Sequence, residues 1–220
     1  MLKVKNVSKI YKKQNHEVKA IDKISLEIPS GDFVSIIGPS GSGKSSLLLM
    51  LGGMLSPSTG QVFIDEESLY DLTPNGIAAL RQKKIGFVFQ TFNLIPYLSA
   101  IQNVQLPLLL RGLNEKDQVE KAQYLLERVG LEDRIEHKPS ELSVGQQQRI
   151  ALARMLANDP SIILADEPTG NLDPEMSQAV IKFLIELNQE GRTIVMVTHD
   201  MKIAKQAKRS VTISKGGTLG

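Results

Sequence analysis

The sequence predicts an α/β fold with a mostly parallel core sheet, and three observations carry that prediction. First, residues 33–37 (Phe-Val-Ser-Ile-Ile), 85–89 (Ile-Gly-Phe-Val-Phe), 162–165 (Ile-Ile-Leu-Ala) and 193–197 (Thr-Ile-Val-Met-Val) are short apolar runs rich in β-branched residues. Such runs suit strands covered on both faces. Second, helix-patterned segments separate them, and that alternation implies parallel pairing. Third, Gly38-Pro-Ser-Gly-Ser-Gly-Lys-Ser45 lies between the first run and the helical pattern from Lys44. Glycines let successive N–H groups point inward there, and a helix N-terminus adds partial positive charge, which together suit a phosphate.

Composition narrows the classes of function. The 220 residues are enough for one large domain or two small lobes, and 41% hydrophobic residues are ordinary for a globular core. Net charge is +2, from 26 basic and 24 acidic residues, so nothing demands nucleic acid or a membrane surface. The absence of cysteine excludes disulfides and thiolate chemistry. No stretch has the pattern of a signal peptide or an apolar run long enough to span a bilayer, so a soluble chain is expected, reaching any membrane through a partner.

The elements follow in order. Residues 2–11 and 18–28 alternate as strands of an antiparallel hairpin, separated by a turn-like stretch at 12–16. Residues 29–32 turn into the first core strand, and 60–65 read as a strand joining the antiparallel layer. Thr73-Pro74 reads as an N-cap and first helical residue. From 91 to 113, Pro96 and Pro107 punctuate a leucine-rich stretch. Val119, Ala122, Leu125, Leu126 and Val129 share one helical face, which Gly130 closes. A helical lobe is expected over 91–155, inserted into a core formed by 1–90 and 156–220, all within a single domain. Asp173-Pro174 opens a helix whose buried stripe is predicted as Met176, Val180, Phe183, Leu184 and Leu187, and Gly191 ends it. Residues 210–220 read as a strand and turn.

Ligands of parallel sheets sit beyond the carboxyl ends of the strands. Gln90, Asp166 with Glu167, and His199 all fall at such ends, as does the glycine-rich loop. Within that loop, Gly38, Ser40, Gly41, Ser42, Gly43, Lys44, Ser45 and Ser46 are candidates to hold phosphates, Lys44 reaching the β- and γ-phosphates and Ser45 a Mg²⁺ ion. Asp166 is a second Mg²⁺ candidate, and Glu167 a general base for water. An Asp-Glu pair can also merely cap the next helix, but the upstream loop favours catalysis. His199 can donate a hydrogen bond to an anion. Gln90 can ligate Mg²⁺ and orient water, or simply cap a strand end. Leu142-Ser-Val-Gly-Gln146 precedes a helix that Ser143 would cap, and local chemistry alone makes it an ordinary capped helix.

Taken together, these motifs resemble the nucleotide-binding subunit of ABC transporters over essentially the whole chain. Leu142-Ser-Val-Gly-Gln146 is similar to that family's signature, usually Leu-Ser-Gly-Gly-Gln. Residues 162–169 resemble its Walker B strand, Gln90 its Q-loop, His199 its H-loop and Asn171-Leu-Asp173 its D-loop. Tyr11 stands where an aromatic residue stacks on adenine, although a strand tyrosine is often just packing. The resemblance implies the P-loop NTPase fold, with an antiparallel β subdomain and an inserted α-helical subdomain. It implies a Mg²⁺-dependent ATPase with ATP held between two head-to-tail copies, Ser143, Gly145 and Gln146 of one acting on the γ-phosphate of the other and Asp173 at the seam. Val144 departs from the pattern, because valine disfavours positive φ and could crowd a phosphate there.

Residues 90–98 and 103–108 are further similar to ATPases of the lipoprotein-release, macrolide-export and antimicrobial-peptide-resistance group, with the cell-division ATPase a near relative. That likeness implies an integral membrane permease docking near residues 90–108, and a cytoplasmic chain held peripherally on the inner membrane face. Phe92, Leu94, Ile95, Tyr97 and Leu98 would form the dock or else pack inside the lobe. An ABC ATPase that drives a membrane partner for signalling or cell-wall regulation is the competing expectation.

Overall fold

The computed structural model describes residues 1–13 and 16–219. Two sheets carry the chain. In the first, β1 (Leu2–Lys13) pairs antiparallel with β2 (His16–Ile28) on one side and β4 (Thr59–Ile64) on the other, with β5 (Glu67–Ser68) at the edge. The hairpin and the 60–65 strand therefore form as expected; residues 14 and 15 of the expected turn lie outside the described residues. The second sheet is parallel throughout, in the order β6-β7-β8-β3-β9, from β6 (Ile85–Phe89), β7 (Ile162–Asp166), β8 (Thr193–Val197), β3 (Phe33–Ile37) and β9 (Arg209–Thr212).

The two-residue period of a strand explains why those runs are apolar without alternation. Ile163, Ala165, Ile194 and Met196 enter one core, while Ile162, Leu164, Val195 and Val197 enter the other. The second core lies between the two sheets and encloses α1 (Lys44–Leu51) through Leu47, Leu48, Met50 and Leu51. A helix covered on both sides needs no polar face, which accounts for its nearly unbroken apolar sequence.

The first core packs the parallel sheet against α3 (Ala100–Leu110), α4 (Glu115–Arg128), α5 (Val144–Leu156) and α6 (Pro174–Gln189). Two further α-helices, α2 (Pro74–Lys84) and α7 (Met201–Ala204), complete the α-helices among the described residues; α7 was not anticipated from the sequence. Thr73 caps α2 as expected, its side chain accepting from the Gly76 N–H at 3.2 Å. Pro107 falls inside the last turn of α3, where only the Asn103 carbonyl loses an intrahelical donor. One predicted core position is wrong. Met176 is 36% exposed, because the first turn of α6 overhangs the core and its thioether rests on Gly145 of α5 instead.

Candidate functional site

Strand register brings the predicted groups to one edge. Phe89 pairs with Asp166, Asp166 with Val197, and Val197 with Ile36, so four neighbouring strands end level. At roughly 4.8 Å between strands, Gln90, Asp166, Glu167, His199 and the loop after β3 share one ledge. Neighbouring sequence could not supply this, since the residues are up to 161 positions apart, but the rule for parallel strand ends could.

The loop's glycines are there for room. A Cβ on Gly38 would lie 2.1 Å from the Ile213 carbonyl oxygen, and one on Gly43 2.1 Å from that of Ala20. Gly41 and Gly43 also hold φ of 77° and 94°. Lys44 is buried and its ammonium donates to the carbonyls of Gly38 and Pro39 at 3.0 and 2.9 Å. Ser42 Oγ is buried without a hydrogen-bond partner, while Ser40 is exposed and Ser46 half-buried.

The cap of α1 is unusual for this molecule. Thr73, Ser99, Asn114, Ser143, Asp173 and Asp200 each turn a side-chain oxygen onto the first turn of their helix. At α1 the N-cap is Gly43, with no side-chain cap and no acidic residue in the first turn. The amides that other helices satisfy internally are thus left directed at the loop's concavity.

Beside it, Ser45 Oγ donates to Asp166 Oδ1 at 3.0 Å. Burial raises the Asp166 pKa above the ordinary carboxylate value; the Ser45 hydroxyl opposes that rise, Glu167 adds to it and Lys44 opposes it. A carboxyl whose pKa is raised on folding favours the fold at low pH, and that contribution is lost as pH rises through the raised value. Near neutrality the ionised Asp166 is therefore a cost that a cation would offset. The donor set would suit Mg²⁺: one carboxylate and one hydroxyl are hard oxygen ligands, and phosphate and water oxygens would supply the others. Among the described residues no cluster of three or more His, Cys, Asp or Glu is placed to hold a metal without such help.

Glu167 adopts φ 47°, uncommon outside glycine, and its N–H donates to the Val197 carbonyl at 3.0 Å. That turn directs its side chain to His199, whose Nδ1 lies 2.9 Å from Glu167 Oε1. The carboxylate is 17% exposed and the ring 68%, so the histidine covers the acid. The pair lines a cleft of about 450 Å³ with Thr169, Thr198 and Lys202.

Gln90 is exposed and engaged with Asn171. Its carbonyl accepts from Asn171 Nδ2 at 3.0 Å, and its side-chain nitrogen approaches Asn171 Oδ1 at 3.5 Å. A Cβ on Gly170 would lie 2.7 Å from that nitrogen. The sequence reading missed this contact, as it missed Gln148, which is buried and donates to the Pro168 carbonyl at 3.0 Å. Tyr11 is 42% exposed, with the Lys9 ammonium 5.4 Å from its ring centre. It pairs with Val18, two residues along β2 from the Ala20 carbonyl that abuts Gly43. Tyr11 thus stands roughly 7 Å along the hairpin from that contact.

Ser143, Gly145 and Gln146 stand apart from this ledge. Among the described residues no hydrogen bond joins them to residues 38–46. Ser143 and Gln146 form a reciprocal capping box, with Ser143 Oγ accepting from the Gln146 N–H and Gln146 Oε1 accepting from the Ser143 N–H.

A family model described as ABC transporter matches residues 21–170. The chain belongs to the ABC transporter ATP-binding family. It is 45% identical over 216 residues to the ABC transporter ATP-binding protein YvrO of Bacillus subtilis, covering 98% of this chain and 94% of that protein. It is likewise 45% identical over 216 residues to the macrolide export ATP-binding/permease protein MacB of Hyphomonas neptunium, covering 98% of this chain but 34% of MacB. Among solved structures, the dimeric post-hydrolysis state of the Methanocaldococcus jannaschii cassette MJ0796, bound to ADP and Pi, superposes with a TM-score of 0.93 at 43% identity. That match covers 100% of this chain and 96% of the other. This ABC cassette is a P-loop NTPase, the ATP-binding and ATP-hydrolysing subunit of a transporter that works with a membrane partner.

The departure at Val144 meets no backbone strain in the structure. Val144 is the first residue of α5, is not among the residues at positive φ, and is 48% exposed. Val144→Gly is expected to leave ATP turnover within about twofold and to lower stability by under about 1 kcal/mol, the usual helix penalty of glycine. Steady-state phosphate release and urea unfolding check both.

Proposed function

We propose that this ABC cassette hydrolyses MgATP only as a head-to-tail pair, and that each reaction centre draws on both copies. The observation that carries this reading is the division of the predicted groups. Loop, acid and histidine share one ledge, while the signature caps a helix that, among the described residues, makes no hydrogen bond to the loop. The MJ0796 neighbour is described as a dimer with ADP and Pi, which supports the same arrangement.

In this reading residues 38–46 cradle the phosphates, Tyr11 offers its exposed ring to adenine, and Ser45 with Asp166 and Gln90 would hold Mg²⁺. That ion would neutralise charge between the β- and γ-phosphates. Glu167 accepts a proton from the attacking water, and the exposed His199 ring beside it would donate an N–H to the γ-phosphate. Ser143 Oγ accepts from its own helix and so keeps its hydroxyl proton free to donate to the partner copy's phosphate. Gly145 and Gln146 add backbone amides at a helix N-terminus. The membrane permease docks on the strap at 90–108, at the inner membrane face. There Tyr97 is 74% exposed and Phe92, Leu94, Ile95 and Leu98 are half-buried, Leu94 packing against the core. Residues 91–155 act as the helical lobe carrying the signature.

Dilution tests this. The phosphate-release rate per chain is expected to fall as chain concentration drops through the dimerisation range seen by sedimentation with ATP. A rate per chain unchanged by dilution in a monomeric sample would refute it.

A further inference from the structure

Arg154 lies in the last turn of α5, the helix whose N-cap is Ser143. Its Nη2 donates to the Phe92 carbonyl at 2.6 Å and its Nη1 to the Asn93 carbonyl at 2.7 Å. These two carbonyls follow Gln90 and Thr91 directly. The next stretch of the strap is held by a second side chain. Asn103 is fully buried; its Oδ1 accepts from the Ile95 N–H, and its Nδ2 faces the carbonyls of Ile95, Leu98 and Ser99 within 3.2 Å. Asn103 anchors the strap to α3, and Arg154 anchors it to the signature helix.

We infer that Arg154 is a positioning residue that makes the signature and the strap after Gln90 one mechanical piece. The inference rests on the sandwich reading of the signature given above. Thirteen helical residues span about 20 Å, and a hydrogen-bonded helix transmits a shift at one end to the other. The fork grips two consecutive carbonyls, a geometry that the point charge of lysine cannot match. Without this grip the strap would keep Asn103, the Gln90–Asn171 contact and the packing of Leu94, none of which belongs to α5, and a displacement of Ser143 on the partner's nucleotide would end in α5. Arg154 acts through the backbone of Phe92 and Asn93.

Hydrogen exchange of the full chain, with and without the non-hydrolysed analogue MgAMP-PNP, tests this. In the parent, peptides covering 143–150 and 92–99 are expected to gain protection together. In Arg154→Met, which keeps an apolar stem, 143–150 should still gain protection. Residues 92–99 should exchange on the order of tenfold faster and no longer respond to the analogue. Arg154→Lys should fall between the two. A purely structural role would lower the thermal midpoint and speed exchange along α5 without separating the two peptides. A parental response of 92–99 in Arg154→Met, or equal behaviour of the Met and Lys variants, overturns the inference. So does a parent in which 143–150 responds and 92–99 does not, an outcome that leaves the sandwich standing. If 143–150 gains no protection in the parent, sandwich and inference fall together.

Discussion

Glu167→Gln is expected to bind ATP as the parent does and to turn it over at least about a hundredfold more slowly. The substitution keeps the length and shape of the side chain. It keeps the φ of 47°, which the Glu167 N–H secures on the Val197 carbonyl. A glutamine oxygen can still accept from His199 Nδ1, so the histidine keeps its brace. What disappears is the capacity to take a proton from water, and general-base catalysis contributes about 10²–10⁴-fold. With hydrolysis stalled and binding intact, ATP should hold two chains closed, so sedimentation with ATP should detect a dimer that persists longer than in the parent. Single-turnover phosphate release is the direct measurement. Release at the parental rate would remove Glu167 from the role of base.

Lys44→Ala is expected to weaken ATP binding by about a hundredfold, near 2.7 kcal/mol. Lys44 is buried within the loop and its ammonium is held at the Gly38 and Pro39 carbonyls, where a phosphate would meet it without rearrangement of the helix. A desolvated cation against an anion is among the stronger polar contacts available. Lys44→Arg should not rescue, because a guanidinium fork is wider than the space around a single ammonium. Calorimetric titration with MgATP measures the loss, and a thermal melt without nucleotide shows whether the loop is disturbed as well. Unchanged affinity would contradict the placement of phosphates at this loop.

Much of the fold was legible because its signals are local. Thr73-Pro74 and Asp173-Pro174 announce helix starts, and both residues cap through their side chains as expected. The apolar runs 33–37, 162–165 and 193–197 suit strands buried on both faces, and they form them. Met176 was misplaced because helical period alone assigns a face but not where the core stops; at the first turn of α6 that face meets Gly145 and then solvent. The concern over positive φ at Val144 dissolved for a similar reason. A motif gives residue order, whereas the capping box of Ser143 and Gln146 sets the backbone, and it makes Val144 an ordinary helical residue.

Contacts made through the main chain left no trace in the sequence. Arg154, Asn103, Asn171 and Gln148 all act on carbonyls, and a carbonyl carries no residue identity to be read at a distance. What the sequence alone determined was the chemistry available: a glycine loop with lysine and serine, an acid pair after an apolar strand, a histidine after another, and a second capped helix. Those are properties of residue type and local spacing. What only the tertiary structure decided was their company. Level strand ends gather Ser45, Asp166, Glu167 and His199 on one ledge, and the separate placement of α5 keeps Ser143 off it, because position in a sheet is set by register and burial between distant segments, not by neighbours in the chain.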